Sequence, residues 1–168
     1  MSRVAGFLLA ILIPALSGCA YYSFTGAVIP EHLQTIAIPL FEDRSQSTLT
    51  DLDQELTALL IDRFVHQTRL SLVSNPEEAD VVLEGSLERY LNQPTAVSGQ
   101  EQATLNRVTI TVFARYYDRV QKKEYFARSF TSFGEYDPTE GLDGEVAAAR
   151  QALERIATDI FNAATSDW

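Results

Sequence analysis

The chain has 168 residues, 46% of them hydrophobic, and sets 13 basic side chains against 23 acidic ones for a formal net charge of −10. That balance excludes nucleic-acid binding and a simple basic patch for anionic lipid headgroups, so any anion site has to be local. The hydrophobic content argues against disorder, and the length suits one domain with a real core.

Residues 1–18 carry one positive charge, Arg3, and no acid, followed by a run from Val4 to Leu16 that is apolar except for Gly6 and Pro14. A spanning helix needs about 20 apolar residues. This run is shorter and ends in Leu16, Ser17, Gly18, Cys19, the small-residue pattern that a lipoprotein signal peptidase cuts, so it reads as a cleaved secretion signal. Cys19 is the one cysteine, which excludes an internal disulfide and a cysteine metal site. Its thiolate suits a diacylglyceryl thioether, and a further acyl chain such as palmitate on the freed amine gives stable anchoring where a single chain binds weakly. Residues 19–34 read as a lipidated tether, and 35–168 as a single domain.

Thr35 to Phe41 is the first predicted strand, with Pro39 placing it on an edge or at a strand end. Asp51 to Gln67 is the first helix, with Leu52, Leu56, Leu59, Leu60 and Phe64 on one face and Thr50 as N-cap. A short run from Leu70 to Val73 and a turn at Ser74, Asn75 and Pro76 follow. The strand from Val81 to Leu91 sets Val81, Leu83, Leu87 and Leu91 against Glu84, Ser86, Glu88 and Tyr90. Residues 92–103 form a polar loop, long for a hairpin. In the strand from Thr104 to Tyr117, Leu105, Val108, Ile110, Val112, Ala114 and Tyr116 oppose Arg107, Thr109, Thr111, Phe113, Arg115 and Tyr117. After a turn from Asp118 to Lys123 comes an aromatic-rich strand, Glu124 to Glu135. The second helix spans Glu145 to Ala164, with Val146, Ala149, Leu153, Ile156 and Ile160 on one face. The order β-α-β-β-β-α predicts an α+β fold: a four-stranded mixed sheet with two helices packed on one face.

Candidate chemistry is sparse. His32 and His66 have no HExxH spacing and read as solvated surface residues. No GxSxG elbow, GxGxxG or P-loop occurs, so no enzyme and no cofactor beyond the covalent lipid is expected. Glu77, Glu78, Asp80, Glu84 and Glu88 could pair for acid or base work, but the solvated-face reading is favoured. Arg107, Arg115 and Arg119 share one face of the third strand, with Lys122 and Lys123 in the turn and Arg128 on the next strand. Since guanidinium pairs bidentately with phosphate, this patch is the candidate contact with a phosphorylated lipid head. A face salt-bridged to Glu84, Glu88 and Glu101 is the competing reading and carries more weight. Phe113, Tyr117, Tyr125 and Phe133 form a candidate interface on the outward side, with core residence by a local register shift left open.

The stretches YSFTGAVIPEHLQTIAIPLFEDRS, EQATLNRVTITVFARY and DIFNAATSDW resemble the LptE family, the lipoprotein component of the outer-membrane lipopolysaccharide translocon, in the form found in Bacteroidota and their relatives. The resemblance implies a plug inside an LptD-like β-barrel that helps the barrel assemble and lipopolysaccharide pass, with lipopolysaccharide itself as a partner. It also implies an outer-membrane location on the periplasmic side, and Ala20 in place of an acidic retention residue is compatible with that sorting. The alternative is a periplasm-facing lipoprotein that binds a small ligand or cell-wall component in a lined cavity.

Overall fold

Pro39 divides the first extended stretch. In the computed structural model, which describes residues 29–96 and 104–166, β1 (Thr35–Ala37) stops two residues before the proline and the chain pairs again at β2 (Glu42–Asp43). Proline has no N–H for a ladder, so pairing lapses around it. There follow α1 (Leu52–Gln67), β3 (Ser71–Leu72), β4 (Val81–Ala96), β5 (Thr104–Asp118), β6 (Lys123–Tyr136), a 3-10 turn (Pro138–Glu140) and α2 (Gly141–Ser166). The signal at 1–18, Cys19, Ala20, most of the tether, and loop residues 97–103 with Glu101 lie outside the described residues.

The strands form one sheet in the order β3, β1, β4, β5, β6, with β2 also paired to β4. β1 runs parallel to β3 and β4, and β4, β5 and β6 form an antiparallel meander, so the sheet is mixed. The α+β class holds, with β2 and β3 added to the four strands expected. At two residues each, they are too short to show a period. Both helices pack on one face: the Phe64 ring of α1 lies 5.2 Å from Phe161 of α2 and 6.1 Å from Tyr116 of β5.

That inner face is where the apolar residues go. Val108, Ile110, Val112, Ala114 and Tyr116 of β5 are fully buried, as their alternation requires, whereas Leu105 has the parity of Arg107 and stays partly exposed. On α1, Leu52, Leu56, Leu60 and Phe64 are buried. The cap position is held by Asp51, not Thr50, in the left-handed region at φ 65° and without a side-chain cap bond. On α2, Ala149, Leu153, Ile156 and Ile160 are buried, but Val146 is 45% exposed where the helix overhangs the loop before α1. The helix seats closely because Gly134 has no Cβ; a methyl there would overlap the Ala148 carbonyl. Packing starts before β1, since Ile29 and Leu33 are already buried in the core.

Two bulges reset which way side chains point. In β4 the pairing steps from Leu87 with Val112 to Arg89 with Thr111, leaving Glu88 extra. Beyond it Tyr90 turns inward, its hydroxyl donating to Glu145 of α2, and Leu91 turns outward, the reverse of unbroken alternation. In β6 Tyr116 pairs with Phe126 and Tyr117 with Glu124, so Tyr125 is the extra residue.

Candidate functional site

Among the described residues neither helix packs on the other face of the meander, and its centre is the odd-numbered row of β5. Arg107 makes two hydrogen bonds to Glu135 Oε1, at 3.0 and 2.7 Å, while its guanidinium sits 4.2 Å from the centre of the Phe133 ring. Arg115 bonds Glu124 at 2.8 Å and Glu84 at 3.2 Å, and lies 4.8 Å from the Tyr117 ring. Between these two clusters Phe113 is half-buried and the hydroxyls of Thr111 and Thr131 meet at 3.0 Å. The cross-strand register creates these groups, because it sets Arg107 opposite Glu135, and Glu84 and Ala127 on either side of Arg115. The Glu124 hydrogen bond keeps the Arg115 guanidinium above its ordinary pKa, against desolvation, with Glu84 adding to the effect.

Of the basic residues singled out from sequence, Arg107 and Arg115 share this face. Both are paired with acids: Glu84 as expected, with Glu124 and Glu135 besides, while Glu88 instead accepts from the Ser86 hydroxyl and Glu101 lies outside the described residues. Arg119 turns to the Pro76 carbonyl, with Glu77 at 3.9 Å. Lys122, at φ 55°, and Lys123 are exposed in the β5–β6 turn. Arg128 does not join them: it pairs with Ala114 on the helix side, over the Phe126 and Phe130 rings, because the bulge at Tyr125 shifts the parity of β6. The same bulge removes Tyr125 from the aromatic set. Its ring lies 5.7 Å from buried Tyr116, while Phe113, Tyr117 and Phe133 remain on the outer face.

A second cluster escaped sequence reasoning. Asp118, fully buried at the end of β5, accepts from the Gln121 backbone N–H at 2.8 Å and the Tyr125 hydroxyl at 3.0 Å, with His32 Nε2 at 2.6 Å. Burial pushes this carboxyl up, but the bonds from Gln121, His32 and Tyr125 outweigh it and hold the carboxyl below its ordinary value. Burial and the bond to Asp118 push the Tyr125 hydroxyl up to about 12. His32 is therefore tied to the fold, unlike the solvated residue expected, whereas His66 is 72% exposed beside Asp62. Nothing local in the sequence links residues 86 positions apart.

Among the described residues there is no group of three metal ligands, and no helix is long and apolar enough to cross a membrane. The outer face carries half-exposed aromatic rings beside paired arginines.

The family model described as lipopolysaccharide-assembly, LptE, matches residues 33–164. No curated protein matches the sequence. Among solved structures, a Xanthomonas campestris protein is similar at 13% identity and a TM-score of 0.55, over 80% of this chain and 87% of that one. A hypothetical protein of Chlamydia trachomatis is similar at 10% identity and a TM-score of 0.53, over 79% and 98%. At such identities these two likenesses concern the fold alone.

Proposed function

The chain belongs to the LptE family and so to lipopolysaccharide assembly, and from that premise we propose that it acts as a non-catalytic plug inside an LptD-like outer-membrane β-barrel, moored by lipid on Cys19. The narrower likeness to the form found in Bacteroidota is part of the same proposal. The observation that carries it is the outer sheet face, where Phe113, Tyr117 and Phe133 stand among paired arginines and, among the described residues, no helix packs, the Arg155 side chain of α2 reaching round the edge to the Phe133 ring. Half-exposed aromatics beside Arg are the side chains that protein interfaces favour. The barrel wall lies against this face.

Lipopolysaccharide phosphate is met by Lys122 and Lys123 in the turn. Arg107 and Arg115 already have carboxylate partners that a phosphate would have to displace, and they serve as secondary contacts. Arg128 and Tyr125 face other surroundings and leave both sets. The test is co-purification from solubilised outer membrane. The wild-type chain is expected to bring down a large barrel protein and the Phe113→Ala, Phe133→Ala double variant to lose most of it. Recovery of no barrel with the wild type overturns the proposal.

A further inference from the structure

β6 forms one edge of the sheet. The Phe133 carbonyl points away from β5, since it accepts a 2.8 Å bond from Arg155 of α2. Peptide groups of one parity along a strand point the same way, so Ala127, Ser129 and Thr131 also turn their N–H and C=O groups to the outside. All three residues are exposed. Natural edges are blunted by charge, proline, bulges or a covering element. Here the Tyr125 bulge with Lys123 stands at one end of the strand and Arg155 capping Phe133 at the other, and between them the charge is Arg128, set on the helix side over the Phe126 and Phe130 rings. In the window between these ends Ala127, Ser129 and Thr131, the residues whose peptide groups face outward, have small, uncharged side chains on the outer face, while Arg128 and Phe130 turn to the helix side. Beside it runs an open groove of about 540 Å³, with Arg128 to Thr131 on one wall and Asp159, Asn162 and Ser166 of α2 on the other.

We infer that this window receives an extended strand of the barrel partner, hydrogen-bonded along β6, with an amide side chain of that strand lying over Asp159 and Asn162. Only a β backbone matches donors and acceptors repeating at strand spacing. With Arg128 on one wall and Asp159 and Asn162 on the other, the groove offers both donors and acceptors, which suits an amide at the inward position. The small outer-face residues leave room for a bulky apolar side chain, and Ser129 pairs directly with Phe113, so the edge continues the proposed barrel contact. A second copy of the chain fits less well, because each copy carries a net charge of −10. The inference rests on the barrel being the partner.

Amide-resolved hydrogen exchange on the full chain, alone and in the co-purified complex, tests it. In the complex the amides of Ala127, Ser129 and Thr131 slow by about tenfold or more, while those of Arg128 and Phe130 are already slow in the chain alone. Ser129→Pro removes an outward N–H without touching the β5 ladder, and should reduce co-purification while the circular dichroism spectrum is kept. Thr131→Lys, which blunts the edge by charge, should do the same and guards against a proline that disturbs folding. A complex in which the three amides exchange as fast as before overturns the strand pairing and leaves the barrel reading standing. Failure of any complex to form overturns both. Protection that appears in the chain alone and grows with concentration assigns the edge to a second copy and overturns the inference.

Discussion

On the helix side of β5, Val108, Ile110, Val112, Ala114 and Tyr116 are completely buried; one residue along, on the outer side, Thr109, Thr111, Phe113, Arg115 and Tyr117 are all partly exposed, with Arg115 ion-paired to Glu84 and Glu124 and set over the Tyr117 ring. Fully burying an aliphatic or Phe side chain is worth about 1.5–3 kcal/mol, whereas a solvent-exposed ion pair is worth about 0–1 kcal/mol. Most of the folding free energy of the meander therefore resides on its helix side, the outer side adding the small cluster of Val82 with Ala37 and Ala79. The other side can change or meet a partner at little cost to the fold.

The sharpest way to break that contrast is at Phe64, which joins α1 to Tyr116 and Phe161. Phe64→Ala is expected to cost about 3–5 kcal/mol, read from the denaturant midpoint, and a loss under about 1 kcal/mol would mean the helix layer is not what holds the sheet. Gly134→Ala forces a methyl against the Ala148 carbonyl and should cost about 1–3 kcal/mol, seen as a lower melting temperature.

Asp118 sits at the junction of the two regions and adds a pH signature. Its folded carboxyl is held below the unfolded value of 3.8, so its contribution is fully present above that pH and is lost as pH falls through the folded value. Asp118→Asn should therefore be less stable than the wild type at pH 7, with the gap closing in acid; denaturant midpoints at pH 7 and pH 3 check this. The smallest effect belongs to the outer face. Arg115→Ala should change stability by under about 1 kcal/mol, and a larger loss in a thermal melt would show that this face also carries the fold.

How far these regions could be read in advance depended on regularity. β5 keeps strict alternation from Arg107 to Tyr117, and its two faces were legible residue by residue. The bulges were not, because an inserted residue preserves composition while reversing parity. That is how Leu91 and Tyr90 exchanged sides, and how Arg128 and Tyr125 were grouped with a surface they do not share. In β6 the adjacent rings of Tyr125 and Phe126 were the available sign, since two neighbouring aromatics that both pack inward break the period. At Leu87 no comparable sign exists. The pairing of His32 with Asp118 and the two-residue strands depend on distant partners, which local pattern does not encode.

The placement of β1 has a mechanical consequence. It is the first strand of the described chain, and it lies inside the sheet with parallel neighbours on both flanks, β3 and β4. A tug along its axis from the amino end is thus opposed by two rows of bonds in shear, together with the plugged-in side chains of Ile29 and Leu33, instead of unzipping one row at a time. Whatever grips the start of this polypeptide is coupled to a strand held on both flanks.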